Sequence, residues 1–298
     1  MTHGSILSQV QTFLTFPLPV ICGAAAAFGA VIGSFLNVVI HRLPREESLA
    51  FPNSRCPACS AAISPFDNIP IFSYVILRGR CRACKAAISP RYPAVELLTA
   101  VLFALVTWHD GFSLALPFDL VFVSALLALV FIDAEHMILP NAITYPGLIL
   151  ALVARVAVPY LVGAPHFDDL QSLATGPLAD LPLWAASLVG AVIGALAGGG
   201  TLWVMGWLWE KLRGVEAMGL GDVKMMFMVG AYLGWRLTVL TIFLAVLFGS
   251  FTGILVMLRQ GKRNLQMELP FGIFLGTAAI AALLIGSRIV EWYAGKFQ

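Results

Sequence analysis

Long apolar runs separated by short polar segments dominate this sequence. A membrane-spanning helix needs about 20 mostly apolar residues, and we predict eight spans, of which the second and sixth are short: 18–40, 94–108, 114–132, 143–162, 183–209, 223–234, 237–258 and 271–292. Only 11% of the 298 residues are charged, whereas roughly a quarter are charged in soluble domains. The composition therefore excludes a water-soluble globular chain and predicts an all-α, polytopic membrane helix bundle of about eight spans. No basic tail of the kind that binds nucleic acid is present, so we expect no nucleic-acid partner.

The distribution of basic residues predicts the orientation. If the N-terminus lies outside, fourteen of the 18 lysines and arginines fall on the inner side: Arg42, Arg45, Arg55, Arg78, Arg80, Arg82, Lys85, Arg91, Lys211, Arg213, Lys224, Arg259, Lys262 and Arg263. Inner loops carry such an excess in membrane proteins. We therefore predict that both termini face outward, and that Arg155 lies within a span.

The loops predict the domain organisation. The segment 42–93 is long enough to form a small domain and contains four of the five cysteines. We divide the chain into a first transmembrane segment (1–41), a cytoplasmic cysteine-rich domain (42–93) and a membrane core (94–298). The outer loop 163–180 is acidic and rich in Pro and Gly, which predicts a solvated connector. Small residues four apart predict close helix packing at Gly29 with Gly33, Gly190 with Gly194, Gly230 with Gly234, and Gly272 with Gly276.

Two CxxC pairs in the 42–93 loop predict a metal site. Cys56 and Cys59 are separated from Cys81 and Cys84 by 21 residues, close to the spacing of four-cysteine zinc sites. A pair of disulfides is the alternative, but disulfides rarely persist in the reducing cytoplasm. Four thiolates leave no open position on zinc, so the role would be structural. Cys22 reads as a small buried apolar residue of the first span.

Carboxylates near membrane depth are costly and mark candidate functional sites. Three positions stand out at the inner ends of predicted spans: Asp133 with neighbouring Glu135, Asp222, and Glu96. Two glycines, Gly219 and Gly221, precede Asp222, and such residues let another backbone approach closely.

Asp133 and Asp222 predict a catalytic pair if the fold brings them together. Two aspartates in a low-dielectric site cannot both ionise, so one acts as general acid and the other as general base. The alternatives are that Asp222 caps the next helix and that Asp133 ends a solvated helix. A metal site of Asp133, Glu135 and His136 is a further alternative, although the chain lacks a His-Glu-x-x-His motif.

Several motifs in order resemble the type IV prepilin leader peptidases, bifunctional enzymes that are also N-methyltransferases. They are GSFLNVVIHRLP (33–44), the paired CxxC motifs, SPRYPAVELLT (89–99), FIDAEHMILPN (131–141), GLGD (219–222) and PFG (270–272). The resemblance covers nearly the whole chain. One departure is Asn141, where the family often has Asp.

The resemblance implies an aspartic protease of the Gly-x-Gly-Asp membrane type in the bacterial inner membrane, with 94–298 as its core and Asp133 and Asp222 as the catalytic pair. It implies cleavage of the short basic leader of prepilins and pseudopilins after Gly at the cytoplasmic face. It also implies S-adenosylmethionine-dependent methylation of the new N-terminal residue. Membrane lipid is the other expected partner.

The methyl-transfer site has less support in the residues themselves. No Rossmann-type glycine motif is present, but polar residues beside the cysteine loop could hold a cationic sulfonium: Gly33, Asn37, Arg91 and Glu96. Their alternatives are close packing for Gly33, helix capping for Asn37 and lipid headgroup contact for Arg91. For the whole chain the alternative function is a transporter or metal-handling protein that uses its intramembrane acids as cation ligands; the inverted repeats of many transporters are not evident.

Overall fold

The computed structural model describes residues 17–51, 54–162, 166–176, 178–214, 219–260 and 270–296. Lys262 and Arg263, two of the predicted inner-side cations, lie outside these residues. The described residues form helices and turns, with isolated β-bridges but no longer strand. They include seven helices long and apolar enough to cross a membrane. The predicted fold class, an all-α polytopic membrane bundle, is therefore confirmed.

The chain forms two compact units, Met1–Leu120 and Val121–Gln298. In the first unit, α1 (Leu18–Arg42) packs along α3 (Arg91–Asp110), and between them the cysteine loop carries 3₁₀ turns at Leu43–Arg45 and Pro65–Asn68 and a short helix, α2 (Phe72–Ile76). Glycine permits the close approach of α1 and α3, because a Cβ at Gly33 would lie only 2.7 Å from the Cα of Glu96.

The second unit contains the remaining helices. Their bounds are α4 (Leu116–His136, which begins in the first unit), α5 (Asn141–Val162), α6 (Leu170–Ala174), α7 (Leu183–Ala195), α8 (Thr201–Arg213), α9 (Leu220–Leu233), α10 (Trp235–Gln260), α11 (Phe271–Ala281) and α12 (Ser287–Ala294). A single π-helical turn joins α7 to α8, and another joins α11 to α12. Each joined pair is thus one long candidate span.

The sixth predicted span, α9, is the buried centre of the second unit. Its 14 residues extend about 21 Å at 1.5 Å per residue, less than the roughly 30 Å hydrocarbon core. Met225, Met226 and Met228 are fully buried. Gly194 of α7 and Gly230 of α9 bring the two backbones into direct contact, as the small-residue spacing predicts. By contrast, α10 leaves large apolar side chains exposed along its length, as expected of a helix that faces lipid.

The prediction of a solvated connector at 163–180 holds for the exposed residues Gln171, Ser172, Thr175, Gly176, Ala179 and Asp180, but it is wrong for Phe167, Asp169 and Leu170, which are buried. Asp169 is fully buried, and its Oδ1 lies 2.6 Å from Nη1 of Arg155. Arg155 Nε also donates to the carbonyl of Ala231 at 3.0 Å, and its guanidinium stacks 4.2 Å from the ring centre of Phe167. An arginine inside a span requires such a buried partner, and the loop folds back to supply it.

Candidate active site

Asp133 lies in the last turn of α4, with its carboxylate at the beginning of α11. Its exposed fraction is 5%, and Oδ2 accepts a hydrogen bond of 3.1 Å from the backbone N–H of Ile273. The first N–H groups of a helix lack partners within the helix and carry partial positive charge, so this position stabilises a carboxylate. The alternative that Asp133 ends a solvated helix is therefore wrong.

Glycine makes this contact possible. A Cβ at Gly272 would lie 2.7 Å from Oδ2 of Asp133, closer than real Cβ contacts. Pro270 occupies the N-cap position of α11. The PFG segment thus places both the start of a helix and a residue without a side chain next to Asp133.

Asp222 is the third residue of α9. The N-cap is Gly219, so the alternative that Asp222 is the N-cap of this helix is also wrong. The half-buried carboxylate of Asp222 lies close enough to Asp133 for a direct electrostatic interaction. The fold therefore brings together the two aspartates that the sequence singled out.

Leu139 joins the segments that carry the two aspartates. A Cβ at Gly221 would lie 3.0 Å from Cβ of Leu139, and a Cβ at Gly272 would lie 3.2 Å from its Cδ1. The two glycines thus pack against the same leucine, three residues after α4 ends. This contact was not predicted, because a leucine beside a proline gives no signal of its own in an apolar sequence.

A lysine lies two residues beyond Asp222 in α9. Lys224 Nζ donates to Oδ1 of Asn141 at 2.9 Å and lies 5.5 Å from the ring centre of Tyr145. Asn141 therefore keeps an acceptor oxygen for this lysine although it departs from the acidic residue that the motif often has. The contact ties the beginning of α5 to the beginning of α9.

The four cysteines form a compact cluster in the first unit. Their sulfur atoms all lie within 4.8 Å of one another, and none is in a disulfide. Cys56 and Cys84 Sγ are 3.8 Å apart, and a zinc tetrahedron with Zn–S bonds of 2.3 Å has sulfurs about 3.8 Å apart. Among the described residues this is the one group spaced to hold a metal, so the metal interpretation of Asp133, Glu135 and His136 has no support.

The two CxxC turns share one local structure. The N–H of Cys56 donates to the carbonyl of Ala61, and that of Cys81 donates to Ala86, each at 2.9 Å. Backbone hydrogen bonds from Cys84 and Ala83 lower the pKa of the Cys81 thiol to about 7. A hydrogen bond from the backbone of Ala61 lowers the pKa of the Cys59 thiol, but the sulfurs of Cys84 and Cys56 and desolvation together raise it to about 11, so the proposed ligand set depends on the distances between the sulfurs.

The four predicted methyl-transfer residues also meet, at the beginning of α3. Asn37 is 4% exposed and its Nδ2 donates to the carbonyl of Tyr92 at 3.0 Å. Arg91 stacks 5.0 Å from the Tyr92 ring centre, and Gly33 packs directly on Glu96. Close packing of Gly33 is thus observed. The Asn37 side chain bonds to another helix, so it does not cap its own.

Glu96 supports the cysteine loop. Its Oε2 accepts a 2.7 Å hydrogen bond from the backbone N–H of Ile71, and Ser34 is a further side-chain partner. Ile71 has φ of 64° and ψ of −52°, and a positive φ is unfavourable for a β-branched residue. Such strain persists only where surrounding contacts enforce it and is common near functional sites. This contact was not predicted.

Comparison with known proteins identifies the family. The chain is 38% identical over 288 residues to a prepilin leader peptidase/N-methyltransferase of Pseudomonas aeruginosa, covering 89% of this chain and 90% of that one. This chain belongs to the type IV leader peptidase family. The family model of that description matches residues 120–254, and the model for the bacterial peptidase A24 N-terminal domain matches residues 27–110.

Two further relatives of the same name agree with this assignment. Identity is 37% to the protein of Stutzerimonas stutzeri, over 96% of this chain and 98% of that one, and 38% to the protein of Aeromonas hydrophila, over 91% and 92%. No solved structure matches significantly. The resemblance read from the motifs is confirmed, and none of these findings favours a transporter. With seven candidate spans and bacterial relatives, this leader peptidase family member is a multi-pass protein of the inner membrane.

Proposed function

We propose that this enzyme removes the leader from prepilins and pseudopilins with Asp133 and Asp222, and then methylates the exposed N-terminal residue. The observation that carries the proposal is the convergence of these two carboxylates. They lie far apart in sequence, and each sits beside a helix start in a mostly apolar surrounding. The relatives that match nearly the whole chain are named for both activities.

The proposed cleavage uses the aspartate pair to activate water. Because the two carboxylates interact electrostatically in a mostly apolar surrounding, we propose that one of them keeps a proton while the other is ionised. The ionised aspartate takes a proton from water as its oxygen attacks the scissile carbonyl carbon, and the protonated aspartate donates to the carbonyl oxygen. The C–N bond then breaks, the departing amine takes the proton that came from water, and the diol returns a proton to the aspartate that had donated one as its C=O bond forms again. The Ile273 amide holds the Asp133 carboxylate in position throughout.

We further propose that this site faces the cytoplasm. Asp133 lies at the end of α4, and Asp222 lies at the start of α9, just after the basic end of α8, which carries Lys211 and Arg213. The positive-inside rule places such basic ends in the cytoplasm. A prepilin whose hydrophobic helix lies in the bilayer would present its leader on this side. Both type IV pilus and type II secretion substrates fit this description.

For methyl transfer we propose the cluster of Gly33, Asn37, Arg91 and Glu96. S-adenosylmethionine would supply the methyl group. The donor set suits this cofactor, because Oδ1 of Asn37 is buried and has no hydrogen-bond partner among the described residues. Asn37 would accept a hydrogen bond from the cofactor, while Glu96 holds Ile71 of the adjoining cysteine loop.

The cysteine cluster is proposed to bind a structural zinc ion. Cys56, Cys59, Cys81 and Cys84 would supply four thiolates, and their mutual distances suit a tetrahedral site. With every position filled by protein, zinc would replace the hydrophobic core that so short a loop cannot form. In this proposal the domains remain 1–41, 42–93 and 94–298.

The test of the peptidase proposal is the substitution Asp133→Asn or Asp222→Asn. Each removes one carboxylate with little change in size, and we expect each to abolish leader cleavage of a purified prepilin, measured by gel shift. Asp180→Asn, an exposed acid in the outer loop, is the matched control and should cleave normally. Cleavage retained by either variant, with protein present at the wild-type level, would contradict the assignment.

A further inference from the structure

A buried contact holds the cysteine loop against α3. The N–H of Ile71 is bonded to Glu96 at 2.7 Å, and Glu96 is the sixth residue of α3, a candidate membrane span. Helix α2 begins at the next residue, Phe72. The structure therefore fixes the start of α2 at the depth of the first turns of a membrane helix.

Helix α2 directs its polar face inward and its apolar face outward. Ser73 is buried, and its Oγ donates to the carbonyl of Phe66 and accepts from the N–H of Ile69. Phe72, Val75 and Ile76 are 69%, 67% and 72% exposed. This arrangement is the reverse of that in a helix that packs on a water-soluble domain, and an exposed apolar patch of this kind marks a protein or membrane contact.

A basic cavity of about 640 Å³ adjoins the apolar patch. Ile76 and Leu77 line one part of it, and the rest is lined by cations: Arg78, Arg80, Arg82 and Lys85. Asp67 bonds to Arg82 through two short contacts of 2.7 and 2.8 Å. No carboxylate of the described residues pairs with Arg78, Arg80 or Lys85, so the cavity keeps an excess of positive charge.

We propose that this cavity binds the phosphate headgroup of an anionic phospholipid while Phe72, Val75 and Ile76 insert among the acyl chains. An apolar helix face beside a cluster of basic residues, both held at the membrane edge, has the chemistry of an interfacial lipid site. If the substrate is a prepilin, as proposed above, its basic leader has the wrong charge for this cavity. The bound lipid would hold the cysteine domain against the membrane.

Lipid binding to the intact chain tests the charged half of the site. Purified protein in detergent is titrated with phosphatidylglycerol, and bound lipid is counted by native mass spectrometry. Removing two cations with R78Q/R80Q should weaken the first lipid-binding step about 30-fold, because each cation near such a surface contributes about 1 kcal/mol. The matched control K211Q/R213Q removes two cations from the end of α8 and should bind the first lipid with the same affinity as the wild type.

Two outcomes of this titration would overturn the proposal. One is equal lipid affinity in wild type and R78Q/R80Q; the other is full displacement of the lipid by millimolar glycerol phosphate, which would indicate a site for a soluble anion. Zinc content and the midpoint of thermal unfolding are measured for each variant. Values equal to wild type show that weaker binding does not come from a damaged cysteine loop.

Photocrosslinking tests the apolar half. Benzoylphenylalanine in place of Phe72 matches the aromatic side chain, and irradiation of membranes that contain the full chain should give phospholipid adducts by mass spectrometry. Adducts mainly to a prepilin or to a second copy of this chain would show that the apolar face of α2 is a protein interface and would refute insertion.

Discussion

Substitution of Gly272 by Ala should displace the Asp133 carboxylate without removing it. The added Cβ would lie 2.7 Å from Oδ2 of Asp133, while ordinary contact begins at 3.4 Å. One of the two groups must therefore move by about 0.7 Å. The start of α11 is fixed by its own helix and by Leu139, whose Cδ1 lies 3.2 Å from the same Cβ. We expect the aspartate to retreat and its 3.1 Å bond to Ile273 to lengthen.

The expected loss of activity follows from this displacement. A catalytic group misplaced by about 1 Å costs about 100-fold in rate, so a shift of about 0.7 Å should reduce leader cleavage by between about 10-fold and 100-fold. This corresponds to about 1.4 to 2.7 kcal/mol of transition-state stabilisation. The assay is a single-turnover time course of prepilin cleavage, with purified enzyme in excess over substrate.

Gly249→Ala is the matched control in the same unit. A Cβ there would lie 3.5 Å from the Phe274 ring, an ordinary contact, so this variant should cleave at close to the wild-type rate. A Gly272→Ala enzyme that cleaves as fast as Gly249→Ala would refute the argument that this glycine positions Asp133. Equal thermal midpoints for the two variants establish that a slower rate is not caused by unfolding.

Two further predictions concern the first unit. Elemental analysis should find one zinc per chain in the wild type and none in the double variant C56S/C59S, which should also unfold at a lower temperature. The control variant C22S should retain the metal. A metal-free wild-type protein would refute the zinc site. Glu96→Ala should lower methyl transfer to a pre-cleaved pilin peptide at least about 10-fold, since a lost hydrogen bond to a buried carboxylate costs about 1.5 to 3 kcal/mol, and Glu96→Gln should retain most activity because its amide oxygen can still accept from Ile71. Equal losses in both variants would instead indicate that the negative charge itself is required.

Most of the bundle could be predicted from the distribution of apolar residues. In a bilayer every span must satisfy its own backbone hydrogen bonds, so long apolar runs become helices with little ambiguity. The short apolar run at 223–234 shows the limit of this kind of prediction. Its pattern predicts a helix but does not distinguish a lipid-facing span from the buried α9, because both are apolar on every side. Only packing against α7, through Gly194 and Gly230, settles the matter.

For the charged residues too, the sequence predicted which ones matter but not what they contact. Because the chain has few charged residues, Asp133, Asp222 and Glu96 were conspicuous in the sequence. An acid at membrane depth is costly without a function or a partner. The sequence did not show which groups these buried acids would contact. Glu96 was predicted beside a cofactor and is bonded to Ile71, while Asp169 was predicted in a solvated loop and is buried against Arg155.

The sequence by itself determined the fold class, the family motifs, the candidate aspartates and the two cysteine pairs, because each depends on residue types at short spacing in a chain with few charges. Tertiary structure decided which helix start faces Asp133, which glycines touch Leu139, and how α2 comes to expose its apolar face. These contacts join segments far apart in the chain. They depend on distances of a few ångströms between backbones, which no local pattern of residues specifies.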